Sequence, residues 1–127
     1  ALAIAGGAGY WWVSANKDRL KDQGQTIKRE AEAYGAQHDK AACQRRAFEK
    51  LDRCDGLMCR AMSGIFLKQC LLSSKQPVKA VYCKEVPPKD SILDAAFYLN
   101  KRCEGLGRTG DQQCVQLLRA VLDYCNK

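Results

Sequence analysis

Residues 43–70, CQRRAFEKLDRCDGLMCRAMSGIFLKQC, contain four cysteines whose spacing is symmetric about a central Asp-Gly dipeptide. Ten residues separate the two cysteines of each arm, so both lie on one face of an α-helix, about three turns or 16 Å apart. Asp-Gly favours a turn, which would fold the second arm back along the first. The stretch therefore predicts an antiparallel helical hairpin with a disulfide bond at each end, Cys54–Cys59 at the turn and Cys43–Cys70 at the opening.

The apolar residues between these cysteines favour the same hairpin. Ala47 and Leu51 continue the cysteine stripe of the first arm at steps of three or four residues. Met62 and Phe66 continue the stripe of the second arm in the same way. Folding the arms together at the turn places Ala47 opposite Phe66 and Leu51 opposite Met62, a pairing of small with large side chains that suits a packed interface.

A second hairpin is predicted in the C-terminal part of the chain, after the helix-breaking Pro87-Pro88. Its two helices carry apolar stripes that each include cysteines, namely Ile92, Ala96, Leu99 and Cys103 on the first and Cys114, Leu118, Val121 and Cys125 on the second. A glycine-rich turn joins them, and the predicted register pairs Leu99 with Leu118, Ala96 with Val121 and Ile92 with Cys125.

The same register predicts the remaining disulfide bonds. Cys103 meets Cys114 across the turn, which leaves Cys125 without a cysteine in its own hairpin. Cys83 is the cysteine still unused, and it precedes the Pro-Pro segment at a place from which the chain can reach the open end of the pair. We therefore expect a Cys83–Cys125 bridge as the fourth disulfide bond.

Eight cysteines in a short chain indicate a disulfide framework in an oxidising compartment. The competing interpretations are reduced thiols and a zinc site. Cys54 and Cys59 have a spacing that could supply half a zinc site, but a second close cysteine pair is missing, and the single histidine, His38, is distant in sequence. The sequence predicts no metal site and no cofactor.

Residues 1–15, ALAIAGGAGYWWVSA, are uncharged and end in an aromatic cluster. Tyr10, Trp11 and Trp12 are typical of the interface where a membrane-spanning segment ends. The segment is shorter than the roughly 20 residues that a spanning helix needs, so we interpret it as the tail of a membrane anchor. The alternative is a signal peptide with a small-residue cleavage site at residues 13–15.

Residues 16–40 are predicted to form a polar helical stalk between this segment and a disulfide-stapled helical domain at residues 41–127. The apolar residues of the stalk form only a narrow stripe: Leu20, Gly24, Ile27, Ala31 and Tyr34. Two alternatives remain open, a coiled-coil dimer seam and a solvated helix that leans on the hairpins of its own chain.

The chain carries 21 basic and 14 acidic residues, a formal net charge of +7. Arg46, Lys50 and Arg53 lie on one flank of the first arm, and Arg60 lies across the turn, so these four residues are the candidate partner-binding residues. We expect an acidic protein partner or an anionic membrane. Nucleic acid is not expected, because the other basic residues are scattered and no aromatic residues are interleaved with them.

The expected function follows from the absence of recognisable catalytic motifs, which indicates a non-enzymatic protein. The cysteine-paired hairpins resemble those of the coiled-coil-helix proteins of the mitochondrial intermembrane space, although each gap is one residue longer here. That resemblance implies an accessory subunit or assembly factor of a membrane complex. We predict an all-α, membrane-tethered protein-interaction module, either an inhibitor or immunity-type protein or an accessory subunit, on the bacterial inner membrane facing the periplasm. The mitochondrial intermembrane space is the alternative location.

The alternative function is a lipid-binding or membrane-surface module of the saposin-like type, in which amphipathic helices cover acyl chains or lie on a bilayer. The two predicted hairpins argue against it. Their apolar stripes face one another and leave no apolar side chains for lipid.

Overall fold

The computed structural model describes residues 21–127 of the chain. This part is all-α, with six helices and no strand. In chain order the helices are α1 at residues 21–37, α2 at Lys40–Asp52, α3 at Leu57–Ser73, α4 at Lys79–Tyr82, α5 at Ile92–Gly105 and α6 at Gln112–Cys125. None of the helices in the described part is long and apolar enough to cross a bilayer. The predicted anchor, with Tyr10, Trp11 and Trp12, lies outside the described residues.

All eight cysteines form disulfide bonds, and the pairings are the four that the cysteine spacing predicts. The bridges are Cys43–Cys70, Cys54–Cys59, Cys83–Cys125 and Cys103–Cys114. Their Cα–Cα separations lie between 5.4 and 6.0 Å, within the range that disulfide geometry permits.

The first hairpin, α2 with α3, has the predicted turn and the predicted core. Asp39 caps α2 by accepting a hydrogen bond from the backbone N–H of Ala42 at 2.7 Å. Ala47 and Phe66 are fully buried and Leu51 is nearly so, whereas Met62 is only half-buried. Three of the four residues predicted for this core are therefore buried, and the pairing of Ala47 with Phe66 and of Leu51 with Met62 stays a prediction.

The second hairpin, α5 with α6, differs from the predicted register at its open end. The buried face of α5 consists of Ala95, Leu99 and Cys103. Ile92 is 78% exposed and Ala96 is also exposed. The predicted burial of these two residues against Val121 and Cys125 is therefore wrong.

The physical reason is that another segment covers the end of α6. The Tyr82 ring makes an edge contact with the Tyr124 ring, with a centroid distance of 6.1 Å. Asn126 accepts a hydrogen bond from the backbone N–H of Lys89 at 2.9 Å and donates one to the Pro87 carbonyl at 3.2 Å. The chain before α5 thus occupies the place predicted for Ile92.

A charged contact fixes the second hairpin on the first. The Arg108 guanidinium, in the turn before α6, donates two hydrogen bonds to the Asp52 carboxylate at 3.0 and 2.7 Å, and it lies 4.6 Å from the centroid of the Phe48 ring. The hydrogen bond from Arg108 lowers the pKa of Asp52.

Because Asp52 ends α2, α6 begins at the same end of the molecule as α3. The two helices therefore run parallel, and α6 packs against α3, α2 and α5 as the central helix.

The C-terminal half of α1 packs on the first hairpin. Ala31 is fully buried, and Ile27 and Tyr34 contact the core. Glu30 of α1 pairs with Lys50 of α2 at 2.6 Å. This part of the predicted stalk thus has the contacts of a helix that leans on its own hairpin.

Gly35 explains how α1 comes so close to α3. A Cβ atom at Gly35 would lie 2.5 Å from the carbonyl oxygen of Cys70, which is closer than such atoms approach in proteins. We expect Gly35→Ala to lower the free energy of unfolding by about 1–3 kcal/mol, because α1 must move away from α3.

Gly24→Ala is the matched control in the same helix, since no atom lies within 4 Å of the added methyl group. It should raise the free energy of unfolding by up to about 1 kcal/mol, because alanine favours the helix. Urea denaturation of both variants measures the two effects. A loss of stability in both variants, or in neither variant, would contradict the close approach of α1 to α3 at Gly35.

Candidate functional site

An open groove of about 790 Å³ runs between the parallel helices α3 and α6. The residues that line it extend from Leu57 to Lys68 on α3 and from Gln112 to Asp123 on α6. Each stretch advances about 16 Å along its helix, so the groove is about three helical turns long.

The groove exists because its floor is made of small side chains between larger apolar ones. Ala61 and Gly64 of α3 and Ala120 of α6 line the groove, and their small side chains leave space along the seam where the two helices pack. Leu57 and Ile65 extend the accessible apolar surface along α3, whereas Leu117 of α6 lines the groove but is nearly buried. The helix α3 is therefore apolar on two faces, one buried in the core and one lining the groove.

Basic side chains rim this apolar floor. Arg60 and Lys68 lie on α3, eight residues or about 12 Å apart, and Arg119 lies on the opposite wall. None of the three has an ion-pair partner among residues 21–127. Asp123 is the one acidic residue that lines the groove, and its carboxylate pairs with Lys89 at 2.6 Å.

The basic residues at the Lys68 end of the groove are close enough to affect one another. The neighbouring Lys127 lowers the pKa of Lys68, with burial as the second cause and Lys89 as a smaller one, while the Asp123 carboxylate acts in the opposite direction. Like charges gathered in this way favour an anionic neighbour, because an anion would relieve their mutual repulsion. The groove thus combines an apolar floor with an excess of positive charge.

The structure divides the four basic residues that the sequence predicts as partner-binding. Arg60 lines the groove, whereas Arg46 and Lys50 of α2 and Arg53, the residue that follows it, do not. Arg46 pairs with Glu49 at 3.1 Å, and Lys50 pairs with Glu30 while lying 5.0 Å from the centroid of the Phe66 ring. Two of these three residues are therefore engaged within the molecule.

Sequence reasoning missed Lys68 and Arg119, the two basic residues that join Arg60 at the rim. A partial signal was present on α3, where Leu57, Ala61 and Ile65 form an apolar stripe apart from the cysteine stripe. No pattern marked Arg119, because its position depends on how α6 packs on a helix of the other hairpin.

A second apolar surface lies on α5. Ile92, Leu93 and Phe97 are 78%, 85% and 70% exposed, respectively. Ile92 also lines a smaller groove between α5 and α6, which shares Arg119 and Asp123 with the first groove. The expectation that the hairpins would bury all their apolar residues against one another is therefore wrong.

The Lys40 ammonium and the Tyr82 hydroxyl are buried away from both grooves. The Lys40 ammonium, at the start of α2, donates a hydrogen bond to the Ser74 carbonyl at 2.6 Å, and burial lowers its pKa. The Tyr82 hydroxyl is buried without a hydrogen-bond partner in the described part, and burial raises its pKa. Within residues 21–127, no three metal-ligating side chains are grouped closely enough to hold a metal ion.

Known proteins give no indication of the function of this chain. No family model, no curated protein and no solved structure matches this chain. The functional assignment depends on the geometry and charge of the described residues.

Proposed function

We propose that the protein is a non-enzymatic protein-interaction module that binds a partner protein in the groove between α3 and α6. The groove itself is the observation that supports this function. Leu57, Ala61 and Ile65 on its α3 side leave apolar surface accessible to solvent, and covering such a surface is favourable. The partner would be the target of an inhibitor or immunity-type protein, or another subunit of a membrane complex.

The four disulfide bonds support a location in an oxidising compartment. Tethering through residues 1–15 would hold the module at a membrane, and the bacterial inner membrane facing the periplasm is the location we propose. The mitochondrial intermembrane space is the second choice.

The disulfide bonds also support binding by a preformed site. Cys54–Cys59 lies at the start of α3, and Cys43–Cys70 lies near its other end. Both bridges hold α3, one wall of the groove, against α2. A wall that is already fixed loses little conformational entropy when a partner binds, which favours affinity.

A lipid-binding function is the second candidate, and the exposed Ile92, Leu93 and Phe97 on α5 favour it. We rank it lower because the charges around this surface are mixed. Lys101 lies at the edge of this face, but Asp94 and Glu104 lie on the same helix. An anionic bilayer would meet less net positive charge here than at the rim of the α3–α6 groove.

Site-specific photo-crosslinking in native membranes tests the protein-binding function. A photoreactive amino acid at Ala61, on the groove floor, should give a discrete adduct with one protein. The same amino acid at Ala80, an exposed alanine on α4 that does not line the groove, is the matched control and should not give that adduct. Lipid adducts alone at Ala61, or the same products from both positions, would overturn the proposal.

A further inference from the structure

We infer that the occupant of the α3–α6 groove is an acidic amphipathic helix of the partner protein. This inference rests on the proposed function and adds the chemistry of the segment that binds. Three features of the groove support it: its length and shape, the small residues of its floor, and the unpaired basic residues on its two walls.

The shape of the groove suits a helix. Two parallel helices with an open channel between them offer a place for a third helix, and the channel is about three turns long. Ala61, Gly64 and Ala120 let an incoming backbone approach closely, as small residues do wherever helices pack tightly. Apolar side chains at steps of three and four residues on one face of the incoming helix would cover Leu57 and Ile65, the larger apolar side chains of the groove that solvent reaches.

The charges select an acidic sequence. Arg60 and Lys68 are about 12 Å apart on one wall, so carboxylates seven or eight residues apart on the incoming helix would lie opposite both. Arg119 on the other wall would meet an acidic residue on the opposite flank of that helix. Because these three basic residues have no ion-pair partner in the described part, pairing with the incoming helix would break no internal ion pair.

A bilayer fits the same groove less well, although anionic lipid would satisfy the same basic residues. The apolar floor is recessed between two helices, and Arg60, Lys68 and Arg119 stand on the walls. A flat surface would contact the rim and leave the floor uncovered, whereas a helix would contact both.

The test uses three synthetic helical peptides of about 14 residues and the oxidised full chain. The first has an apolar face flanked by glutamates, the second has lysine in place of each glutamate, and the third has the composition of the first with its apolar periodicity scrambled. We expect the acidic peptide to bind at micromolar concentration and the other two at least about tenfold more weakly. Equal binding of all three, or no binding of the acidic peptide, would overturn the inference.

Two charge-reversal variants with the same change in net charge locate the binding site. Arg60→Glu with Arg119→Glu alters the groove, and Arg46→Glu with Arg53→Glu alters the outer flank of α2. The groove variant should bind the acidic peptide at least about tenfold more weakly and should bind the lysine peptide more tightly than the parent does. The affinity of the α2 variant for the acidic peptide should stay within about twofold of the parent's affinity. An equal loss of affinity in both variants would mean that only long-range electrostatic attraction is at work, and it would overturn the inference.

Binding to phosphatidylglycerol vesicles tests whether a membrane occupies the groove instead of a protein helix. If the parent protein binds the vesicles, the groove variant does not, and the acidic peptide does not bind the parent, the occupant of the groove would be a lipid surface. That result would overturn the inference. The crosslinking experiment at Ala61 remains separate, because a protein adduct there together with no binding of the acidic peptide would retain the protein-binding function and reject only the acidic helix.

Discussion

Replacing Cys83 and Cys125 together by alanine is expected to lower the free energy of unfolding by about 4 kcal/mol. This bridge joins residues 42 apart in sequence, the largest separation among the four disulfide bonds. In the chain-entropy account, a longer closed loop restricts the unfolded chain more, and a loop of this length corresponds to about 4 kcal/mol. The same bridge ties the segment before α5 to the end of α6, where that segment displaces Ile92.

The matched control is the replacement of Cys54 and Cys59 by alanine. These residues are only five apart in sequence, so the same account gives about 2 kcal/mol for their bridge. Urea denaturation of the two double variants, with the other disulfide bonds intact, measures the difference. A larger loss from removing Cys54–Cys59 than from removing Cys83–Cys125 would contradict the prediction.

Phe66→Ala should lower the free energy of unfolding by about 3–4 kcal/mol, the usual cost of removing a large side chain from a packed core. Phe66 is fully buried, and its ring lies 6.1 Å from the Tyr34 ring of α1 and 5.0 Å from the Lys50 ammonium of α2. Three helices would lose contacts at once. Leu118→Ala, at a buried position of α6, should cost a similar amount.

Phe97→Ala is the control for the loss of an aromatic side chain. Phe97 is 70% exposed on α5, so the same substitution should change the free energy of unfolding by no more than about 0.5 kcal/mol. Urea denaturation of the two phenylalanine variants measures the loss in the free energy of unfolding of each. A cost at Phe97 equal to that at Phe66 would show that the apolar face of α5 is covered in the folded protein.

The hairpins and the disulfide pairing could be predicted from sequence because both depend on spacing within one segment. An α-helix converts a ten-residue gap into two cysteines on one face, and a turn at the centre then decides which cysteines meet. Cys83 and Cys125 could be paired because the other cysteines already had partners in their hairpins.

The groove could not be predicted because it depends on how the hairpins pack on each other. Arg60 and Arg119 are far apart in sequence, and only the parallel arrangement of α3 and α6 brings them to opposite walls. The engagement of Lys50 with Glu30 likewise depends on α1 folding back onto α2. Spacing within a helix shows which residues share a face, but it does not show which face another helix covers.

The exposed surface of α5 illustrates the same limit. Ile92 lies on the cysteine stripe of α5, eleven residues before Cys103, and periodicity alone assigns it to the core. The segment from Tyr82 to Lys89 reaches the end of α6 instead. The Cys83–Cys125 bridge and the burial of Ile92 are both predicted to use the surface at the end of α6. The structure has the bridge there, and Ile92 is exposed.

The most direct test of partner binding in the groove is an NMR titration of the full chain, labelled at isoleucine methyl groups, with the acidic helical peptide. Of the four isoleucines, three lie in the described part and report on three surfaces: Ile27 on α1, Ile65 in the α3–α6 groove and Ile92 on the exposed face of α5. We predict that the Ile65 methyl signal shifts most as peptide is added, while the Ile27 and Ile92 signals stay close to their starting positions. A larger shift of the Ile92 signal with Ile65 unchanged would place binding on α5 and contradict the account.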